Sequence, residues 1–456
     1  MAYYILKSYK LSVDPLKLLE ALKDAKNCFF LDSSLNQAKQ GRFSFLGAGP
    51  FHILESKDQN PFPRLKECMQ RWKIDPPKKH LPFMGGAVGF VSYDLGFILE
   101  AKVRARIKQG SGVPEAYFAF YNSLIAIDSV CRKLYLFSTG IPEKSYLLQK
   151  KLCEENLKEL TKLLSEASLK QKKPAATGIR PCGPVKSNLT KKEYIGLVKR
   201  VKEYIRQGDI YQVNLSQEFR AKTESSAFDI YAALRSQSPS HFSAYFDTGD
   251  LQILSSSPER FLKVSKGRVT TRPMKGTRAR SLNQAKDKEL KDELLKSAKD
   301  KAELMMIVDL ERNDLGRVCD YESIRVRSLR EIEKYRTVFQ ATANIEGRLF
   351  KNKDRTDLLR ATFPGGSITG CPKIRAMQII EELEPHRRSI YTGALGYLSF
   401  CGNMDFNILI RTILKKGNSL SFGVGGGIVA DSDPQAEYEE SLVKARGIFQ
   451  AIGCRD

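Results

Sequence analysis

A lysine that lies between two arginines has the greatest potential for chemistry in this sequence. It is Lys275, in the segment Arg272–Arg278, where a glycine and a threonine follow it. Neighbouring positive charge disfavours an ammonium ion, so the sequence predicts that part of this amine is unprotonated near neutral pH and can act as a nucleophile. The same residues also fit a basic surface loop with solvated charges, and the segment alone does not decide between the two.

Four glutamates form a second candidate set. Glu303 lies in the largely apolar stretch 302–310, which a charged side chain usually enters only when it is paired or bound to a metal. Glu437 and Glu440 share a face of a predicted helix, so carboxylates from two helices could hold Mg²⁺. Glu259 follows a predicted strand and could act as an acid if burial raises its pKa. Each glutamate alone also fits an exposed or ion-paired residue.

Two glycine-containing segments do not match nucleotide-binding motifs. In residues 366–373 the lysine does not follow a glycine directly, as a Walker loop requires, and residues 423–428 have isoleucine where a dinucleotide fingerprint needs glycine. The first segment instead predicts a helix with Pro372 in its first turn and Thr369 or Gly370 as its cap. Free amides at such a helix start suit a carboxylate, although a plain turn is the alternative.

The second segment contains a run of three glycines after a predicted strand, Leu420–Phe422. The run consists of Gly425, Gly426 and Gly427. We expect it to bring backbone amides close to an anion, again with a tight turn as the alternative.

Composition indicates an ordinary globular protein with an excess of positive charge. The chain has 456 residues, with 75 Lys and Arg against 52 Asp and Glu, which gives a net charge of +23. Such a charge could bind nucleic acid or an anionic membrane, but the basic residues are spread over many predicted helices and do not form one patch. A small polyanionic substrate, an acidic partner or solubility explains the excess equally well.

Cysteine and histidine usage favours a reduced, cytoplasmic protein without a histidine-based site. The nine cysteines are odd in number and form no CxxC pair, and residues 1–7 lack the apolar region of a signal peptide. No apolar run approaches the length of a membrane span. The four histidines are scattered, which gives no support to a histidine metal site or triad.

The order of predicted elements favours an α+β fold with largely antiparallel sheets. Residues 169–187 are the best linker candidate, because they contain little that could be buried. Thr190 and Glu193 form a capping-box signal for the helix that follows, and a strand is expected at Ile210–Leu215. Strands and helices then alternate without a regular βαβ period.

Taken in order, these segments resemble the chorismate-utilising enzymes, a family that includes anthranilate, aminodeoxychorismate, isochorismate and salicylate synthases. The similarity is dense over residues 188–453 and weaker in the N-terminal part. It implies a two-lobed fold, with an N-terminal region at 1–168, a linker at 169–187 and a catalytic domain at 188–453. Segments that carry the resemblance are 208–216, 256–261, 275–277, 307–314, 365–377, 396–400, 410–412 and the glycine run.

Three positions distinguish the branches of this family. Lys275 is typical of the aminodeoxychorismate synthases, whereas anthranilate synthases usually have alanine there. Gln212 replaces the lysine that activates water in isochorismate and salicylate synthases. Gln340 stands where most relatives have a histidine that is linked to pyruvate loss. The resemblance therefore favours component I of aminodeoxychorismate synthase, with anthranilate synthase component I as the nearest alternative and a basic nucleic-acid-binding protein as a distant one.

The resemblance also implies a set of site residues, a cofactor and a partner. The implied catalytic residues are Lys275 as nucleophile and Glu259 as acid. The implied ligands of Mg²⁺ are Glu303, Glu437 and Glu440. The implied chorismate-binding residues are Asn214, Gly276, Thr277, Tyr397, Arg411, Gly425, Gly426 and Gly427. A separate glutamine amidotransferase subunit is expected to supply ammonia, and Ser33 marks a possible tryptophan pocket.

Overall fold

Two large antiparallel sheets carry the site-forming segments of this protein. The structure, a computed structural model, describes residues 2–35, 41–76, 80–103, 112–169, 178–335 and 338–454. Every strand pairing within these residues is antiparallel, which confirms the predicted α+β class. Of the predicted linker, residues 170–177 lie outside the described residues.

The first sheet has twelve strands and takes them from both halves of the sequence. They are β1 (Tyr4–Lys10), β2 (Phe29–Asp32), β3 (Phe43–Gly47), β7 (Ser123–Asp128), β8 (Lys133–Thr139), β9 (Lys186–Ser187), β10 (Gln212–Lys222), β11 (Phe242–Asp247), β12 (Gln252–Ser257), β18 (Gly370–Cys371), β21 (Thr412–Lys416) and β22 (Ser419–Ile428). Their order is β1-β8-β7-β3-β2-β11-β12-β21-β22-β10-β18, with β9 beside β10.

The second sheet has ten strands and is mixed in the same way. They are β4 (His52–Ser56), β5 (Gly86–Val91), β6 (Ala116–Tyr121), β13 (Arg260–Ser265), β14 (Arg268–Arg272), β15 (Met274–Ala279), β16 (Arg325–Lys334), β17 (Val338–Arg348), β19 (Ala394–Ser399) and β20 (Met404–Ile408). Their order is β15-β17-β14-β13-β20-β19-β5-β6-β4, with β16 beside β17. Since both sheets combine strands from either side of residues 169–187, the two sequence regions share their sheets. The domain boundaries themselves stay a prediction.

Helices pack against the sheets, and two of them carry the candidate carboxylates Glu303, Glu437 and Glu440. They are α1 (Pro15–Leu22), α2 (Phe62–Arg71), α3 (Leu95–Leu99), α4 (Tyr146–Leu169), α5 (Lys191–Arg206), α6 (Ala227–Gln237), α7 (Gln284–Lys296), α8 (Ala298–Gly316), α9 (Arg355–Thr362), α10 (Lys373–Leu383) and α11 (Pro434–Ala451). No helix in the described part of the chain is both long and apolar enough to cross a membrane.

Local signals of the sequence are confirmed at several elements. Thr190 N donates to Glu193 Oε2 at 2.7 Å and Glu193 N donates to Thr190 Oγ1 at 3.3 Å, so the predicted capping box starts α5. The glycine-rich stretch before α3 allows close strand packing: a Cβ at Gly89 would lie 2.0 Å from Tyr117 O. The core between the sheets is joined by aromatic contacts such as that of Phe90 with Phe246, whose ring centroids are 6.4 Å apart.

The start of α10 differs from the prediction. Pro372 is itself the cap, and neither Thr369 nor Gly370 caps the helix. Thr369 Oγ1 instead donates to Gly365 O at 2.9 Å, and Gly370 forms the short strand β18 against β10. Pairing with a strand distant in sequence therefore determines this segment more strongly than its local capping preferences do.

Candidate active site

Lys275 lies where the edge of the second sheet meets the glycine run of the first. The chain bulges between Lys275 and Thr277, and Gly276 has a φ of +80°, a conformation that glycine adopts at little cost. A Cβ added at Gly427 would lie 3.0 Å from Lys275 Nζ and 2.6 Å from Gln212 Nε2. Glycine at 427 thus leaves room for the amine and the amide to meet over the backbone of β22.

Lys275 has the lowered pKa that the sequence predicts, but for a different reason. Burial lowers the pKa of this amine, and Lys444 adds to the effect, while Glu303 and Glu259 oppose it. The two arginines of the segment are neutralised elsewhere. Arg272 forms ion pairs with Glu331 and Glu333, and Arg278 pairs with Glu293 at 2.7 Å and with Asp300 at 3.1 Å. Loss of hydration, and not the neighbouring guanidiniums, is therefore the main cause.

Glu259 is buried close to this amine, and its carboxyl group holds a proton more tightly than usual. Burial raises the pKa of Glu259 to about 7, although the Ser367 hydroxyl and Lys275 oppose the shift. Ser367 Oγ donates to Glu259 Oε1 at 2.6 Å. The predicted effect of burial is confirmed, and the carboxyl can donate a proton at neutral pH. Ser367 was not predicted, although it lies within the segment 366–373.

Glu437 and Glu440 project from α11 towards the glycine run. A Cβ at Gly426 would lie 3.3 Å from Glu437 Oε2 and 3.8 Å from Glu440 Oε1. Lys444, one turn further along α11, pairs with Glu440 at 2.7 Å and donates to Gly425 O at 2.9 Å. This lysine was also missed, although its spacing of four residues from Glu440 is that of a helical ion pair.

The donor chemistry of these carboxylates fits a hard divalent cation. Burial raises the pKa values of Glu303 and Glu437, and each also feels the negative charge of Glu440. Carboxylates that repel one another in a partly dehydrated site are stabilised by a cation such as Mg²⁺. Within the described residues, however, no three His, Cys, Asp or Glu side chains already converge as a metal-binding group. The Lys444 ammonium supplies part of the missing positive charge.

The glycine run is part of the long strand β22, and not the tight turn that the sequence left as an alternative. Asn214 of β10 lies opposite Gly427, and Ser216 lies opposite Gly425. On its other side β22 pairs with β21 only over Ser419–Ser421. Amides alternate between the two edges of a strand, so part of the run presents its amides to the edge away from β10. Asn214 Nδ2 donates to Ile368 O at 3.1 Å.

Arg411 has the properties of an anion-binding side chain. Its φ is +51°, an uncommon conformation for a residue with a side chain and one that is enriched at functional sites. Burial lowers the pKa of Arg411, and the nearby Tyr335 opposes this only in part. Among the residues that the structure describes, no side chain or carbonyl accepts a hydrogen bond from its guanidinium. A bound carboxylate would satisfy it.

Tyr397 does not lie with Arg411, although the resemblance implied that both bind chorismate. Thr392 N donates to Leu409 O at 2.8 Å, which brings Tyr391 beside the Ile410–Arg411 segment. Tyr397 lies in β19, five residues beyond Thr392, which is a distance of roughly 16 Å along an extended chain. Its ring stacks on Phe83, with centroids 4.6 Å apart.

Tyr391, and not Tyr397, lies beside the Ile410–Arg411 segment. A Cβ at Gly423 would lie 2.3 Å from Tyr391 Cγ, so the ring covers the strand that contains the glycine run. Asn214 hydrogen-bonds with Tyr391 and lowers its pKa, although burial raises that pKa more strongly. The sequence offers one signal for Tyr391. It lies three residues after Arg388 and three residues before β19 begins.

Ser33 lines a separate cavity together with Tyr397. Other lining residues are Phe45, Arg260, Asp405 and Asn407. Ser33 Oγ donates to Phe43 O at 2.9 Å, and Arg260 forms a bidentate pair with Asp405 at 3.0 and 3.1 Å. Polar and aromatic groups therefore share this cavity.

Thr277 and Gln340 lie opposite each other on β15 and β17. Thr277 is exposed, whereas Gln340 is buried and its Oε1 has no hydrogen-bond partner among the described residues. Gln212 is fully buried, and neither atom of its amide has a partner there. Buried amides without partners are costly, and those that line a cleft commonly bind a ligand or water.

Comparisons with known proteins identify the family. Residues 26–450 match the family model described as chorismate binding enzyme. Anthranilate synthase component 1 of Aquifex aeolicus is 36% identical, over 96% of this chain and 92% of its own. Aminodeoxychorismate synthase component 1 of Bacillus subtilis is 34% identical, over 92% of this chain and 91% of its own.

A solved structure agrees with this result. Anthranilate synthase component I from Streptococcus pneumoniae superposes with a TM-score of 0.78 at 33% identity, over 91% of this chain and 93% of its own. The two-lobed fold that the resemblance implied is thereby confirmed. The chain belongs to the family of chorismate-binding enzymes, and it is a chorismate-utilising enzyme related to anthranilate synthase.

Proposed function

We propose that this enzyme is component I of an aminodeoxychorismate synthase, which replaces the C4 hydroxyl of chorismate with an amino group. The observation that carries the proposal is the dehydrated amine of Lys275, which lies over the glycine run and close to Glu259, whose pKa burial raises to about 7. The product would serve the synthesis of 4-aminobenzoate and folate.

The reaction divides into two displacements. Glu259 donates its proton to the C4 hydroxyl while the free amine of Lys275 attacks C2, so that both double bonds of the ring diene shift and the hydroxyl leaves C4 as water. Ammonia then attacks C4, both double bonds return to their first positions, and the bond between C2 and Lys275 Nζ breaks to release the free amine. Division of a difficult displacement into two steps is the usual benefit of covalent catalysis. A separate glutamine amidotransferase subunit would supply the ammonia.

Substrate binding would use the groups around the glycine run. Arg411 can bind the enolpyruvyl carboxylate through its two-pronged guanidinium, with Tyr391 beside it. Those amides of Gly425–Gly427 that face away from β10, together with the Thr277 hydroxyl, suit the ring carboxylate. Glu303, Glu437 and Glu440 would hold Mg²⁺, which supplies charge neutralisation for that carboxylate when bound.

Gln212 and Gln340 support amination without further reaction. An amide cannot act as a general base near neutral pH, so Gln212 disfavours attack by water. Its unpartnered Oε1 can instead accept a hydrogen bond from ammonia. Gln340 cannot transfer a proton as a histidine does, so pyruvate loss would be left to a separate lyase.

Anthranilate synthase component I is the alternative, because relatives with either name match this chain at similar identity. We expect purified protein given chorismate, Mg²⁺ and ammonium to form aminodeoxychorismate. Addition of a lyase should then be required before an aromatic product appears. Fluorescence of anthranilate without any lyase would refute the proposal.

A parallel gel shift at physiological salt tests the nucleic-acid alternative, for which we expect no specific complex.

The metal assignment predicts a second result. Glu440→Gln removes one carboxylate while Lys444 keeps its hydrogen bond to Gly425 O, so we expect a weaker affinity for Mg²⁺ and lower activity at limiting metal. The apparent Mg²⁺ constant, measured by titration, should rise by roughly tenfold or more. Glu439→Gln is the matched control, because Glu439 lies next in sequence and its carboxylate accepts a hydrogen bond from Gln435 of the same helix. Equal titrations for wild type and Glu440→Gln would contradict the assignment.

The cavity around Ser33 stays a proposed tryptophan pocket. Its aromatic wall at Phe45 and Tyr397 suits an indole ring, and the Arg260–Asp405 pair offers both charges that an amino acid needs.

A further inference from the structure

A fully buried ion pair lies behind the candidate site. The side chains of Glu384 and Arg388 are each 1% exposed, and Arg388 Nη2 approaches Glu384 Oε1 at 2.7 Å. A second bond joins Arg388 Nε to Glu384 Oε2 at 2.9 Å. Removal of two charges from water is costly, and an apolar pair of similar size is often equally stable. The chemistry proposed above assigns no task to these two residues.

The pair connects three segments that are distant in sequence. Arg388 Nη2 donates to Asn214 O at 2.5 Å and Nη1 donates to Ile368 O at 3.0 Å. Glu384 Oε1 accepts hydrogen bonds from Ser216 N and Ser216 Oγ, both at 2.8 Å. Strand β10, the turn at 366–368 and the end of α10 are therefore joined through one guanidinium and one carboxylate.

Each connected segment carries a group of the candidate site. Strand β10 carries Gln212 and Asn214, and the turn carries Ser367, which donates to Glu259. The chain after α10 carries Tyr391, whose N donates to Arg388 O at 2.9 Å and whose ring centroid is 5.9 Å from the Arg388 guanidinium carbon.

We propose that Arg388, held by Glu384, is a positioning residue that aligns Ser367 with Glu259, and Gln212 and Tyr391 with the glycine run. The inference rests on the proposed function for the identity of the chemistry, but the contacts it uses are independent of the product. Arg388 does not touch the substrate. Its planar guanidinium donates to two carbonyls and to both oxygens of a carboxylate, which the single ammonium of lysine cannot do in the same geometry.

Arg388→Lys keeps the charge beside Glu384 and therefore tests the geometry. We expect kcat for chorismate consumption to fall on the order of tenfold to a hundredfold, because small misplacements of catalytic groups cost that much. KM should change much less, since Arg411 is unaltered. The Ser367 hydrogen bond favours the ionised form of Glu259. Its weakening should therefore move the alkaline limb of the pH–rate profile to higher pH.

Other charges near Glu259 remain the same in this variant. The ionisable groups that face Glu259 are Lys275 from β15 and Glu311 from α8. Arg200→Lys is the matched control. Arg200 lies on α5 and forms an exposed pair, at 2.8 Å, with Glu382 near the end of α10. It should leave kcat and the pH limb unchanged. Ser216→Ala removes one bond to Glu384 without altering a charge and should lower kcat in the same direction, by a few fold.

The expected result is a selective loss of kcat with a shifted alkaline limb, in a variant that remains folded by circular dichroism. Faster hydrogen exchange in the 212–216 and 366–369 segments should accompany it. Wild-type kcat and pH limb in Arg388→Lys would overturn the inference. So would an unaltered kcat in Ser216→Ala if Arg388→Lys does not fold. If the wild-type product is anthranilate, the proposed function is refuted but the role of Arg388 is not. The comparison of Arg388→Lys with wild type uses chorismate consumption and hydrogen exchange, and neither depends on which product forms.

Discussion

Lys275→Ala should abolish a covalent adduct between the enzyme and chorismate and slow amination on the order of a hundredfold or more. The reason is the position of the amine, which is dehydrated and faces the glycine run. Intact-mass measurement of wild type, quenched during turnover, should detect protein that carries chorismate less one water. Peptide mapping should locate the added mass on Lys275, and Lys275→Ala should lack it. Residual turnover would then proceed by direct attack of ammonia.

Two further variants separate nucleophilicity from charge. Lys275→Arg retains a positive charge but cannot attack, so we expect the same loss of adduct and a similar loss of rate. Lys301→Ala is the control. It removes an exposed lysine from α8, the helix that carries Glu303, and should have no effect. If Lys275→Ala keeps the wild-type rate and product, a covalent role for this lysine is excluded.

Several features of the fold and of the site could be predicted from the sequence, because they depend on residues that are close together along the chain. The capping box at Thr190 is one, since its partner is three residues away. The position of Glu259 after a strand is another, because β12 ends only two residues before it. The antiparallel α+β class likewise follows from the absence of a regular βαβ period.

Other features depend on long-range pairing and could not be predicted in the same way. Tyr391 and Tyr397 lie only six residues apart, so the sequence does not show which of them lies near Arg411. The pairing of β19 with β5 and β20 places Tyr397 in the Ser33 cavity. The cause of the lowered pKa of Lys275 was also inaccessible, because the partners of Arg272 and Arg278 lie 15 or more residues away. The glycine run became a strand because β10 pairs along its full length.

Glu259→Gln should produce the other large effect. Removal of a positioned acid typically costs about a hundredfold to ten thousandfold in rate. In wild type, activity should decline as the pH rises through about 7, because the carboxyl that donates the proton then ionises. Glutamine does not titrate, so the small residual activity of Glu259→Gln should lack this alkaline limb. A limb that persists unchanged in the variant would assign it to another group.

Stability gives an independent check on the same carboxyl group. The pKa of Glu259 in the folded protein, about 7, is above its unfolded value, so the folded state binds the proton more tightly. Its contribution to stability is therefore complete below the unfolded pKa and is lost as the pH rises through about 7. Glu259→Gln should not lose this contribution. The difference in Tm between variant and wild type should thus increase from pH 5 to pH 8, and a constant difference would mean that Glu259 is ionised throughout.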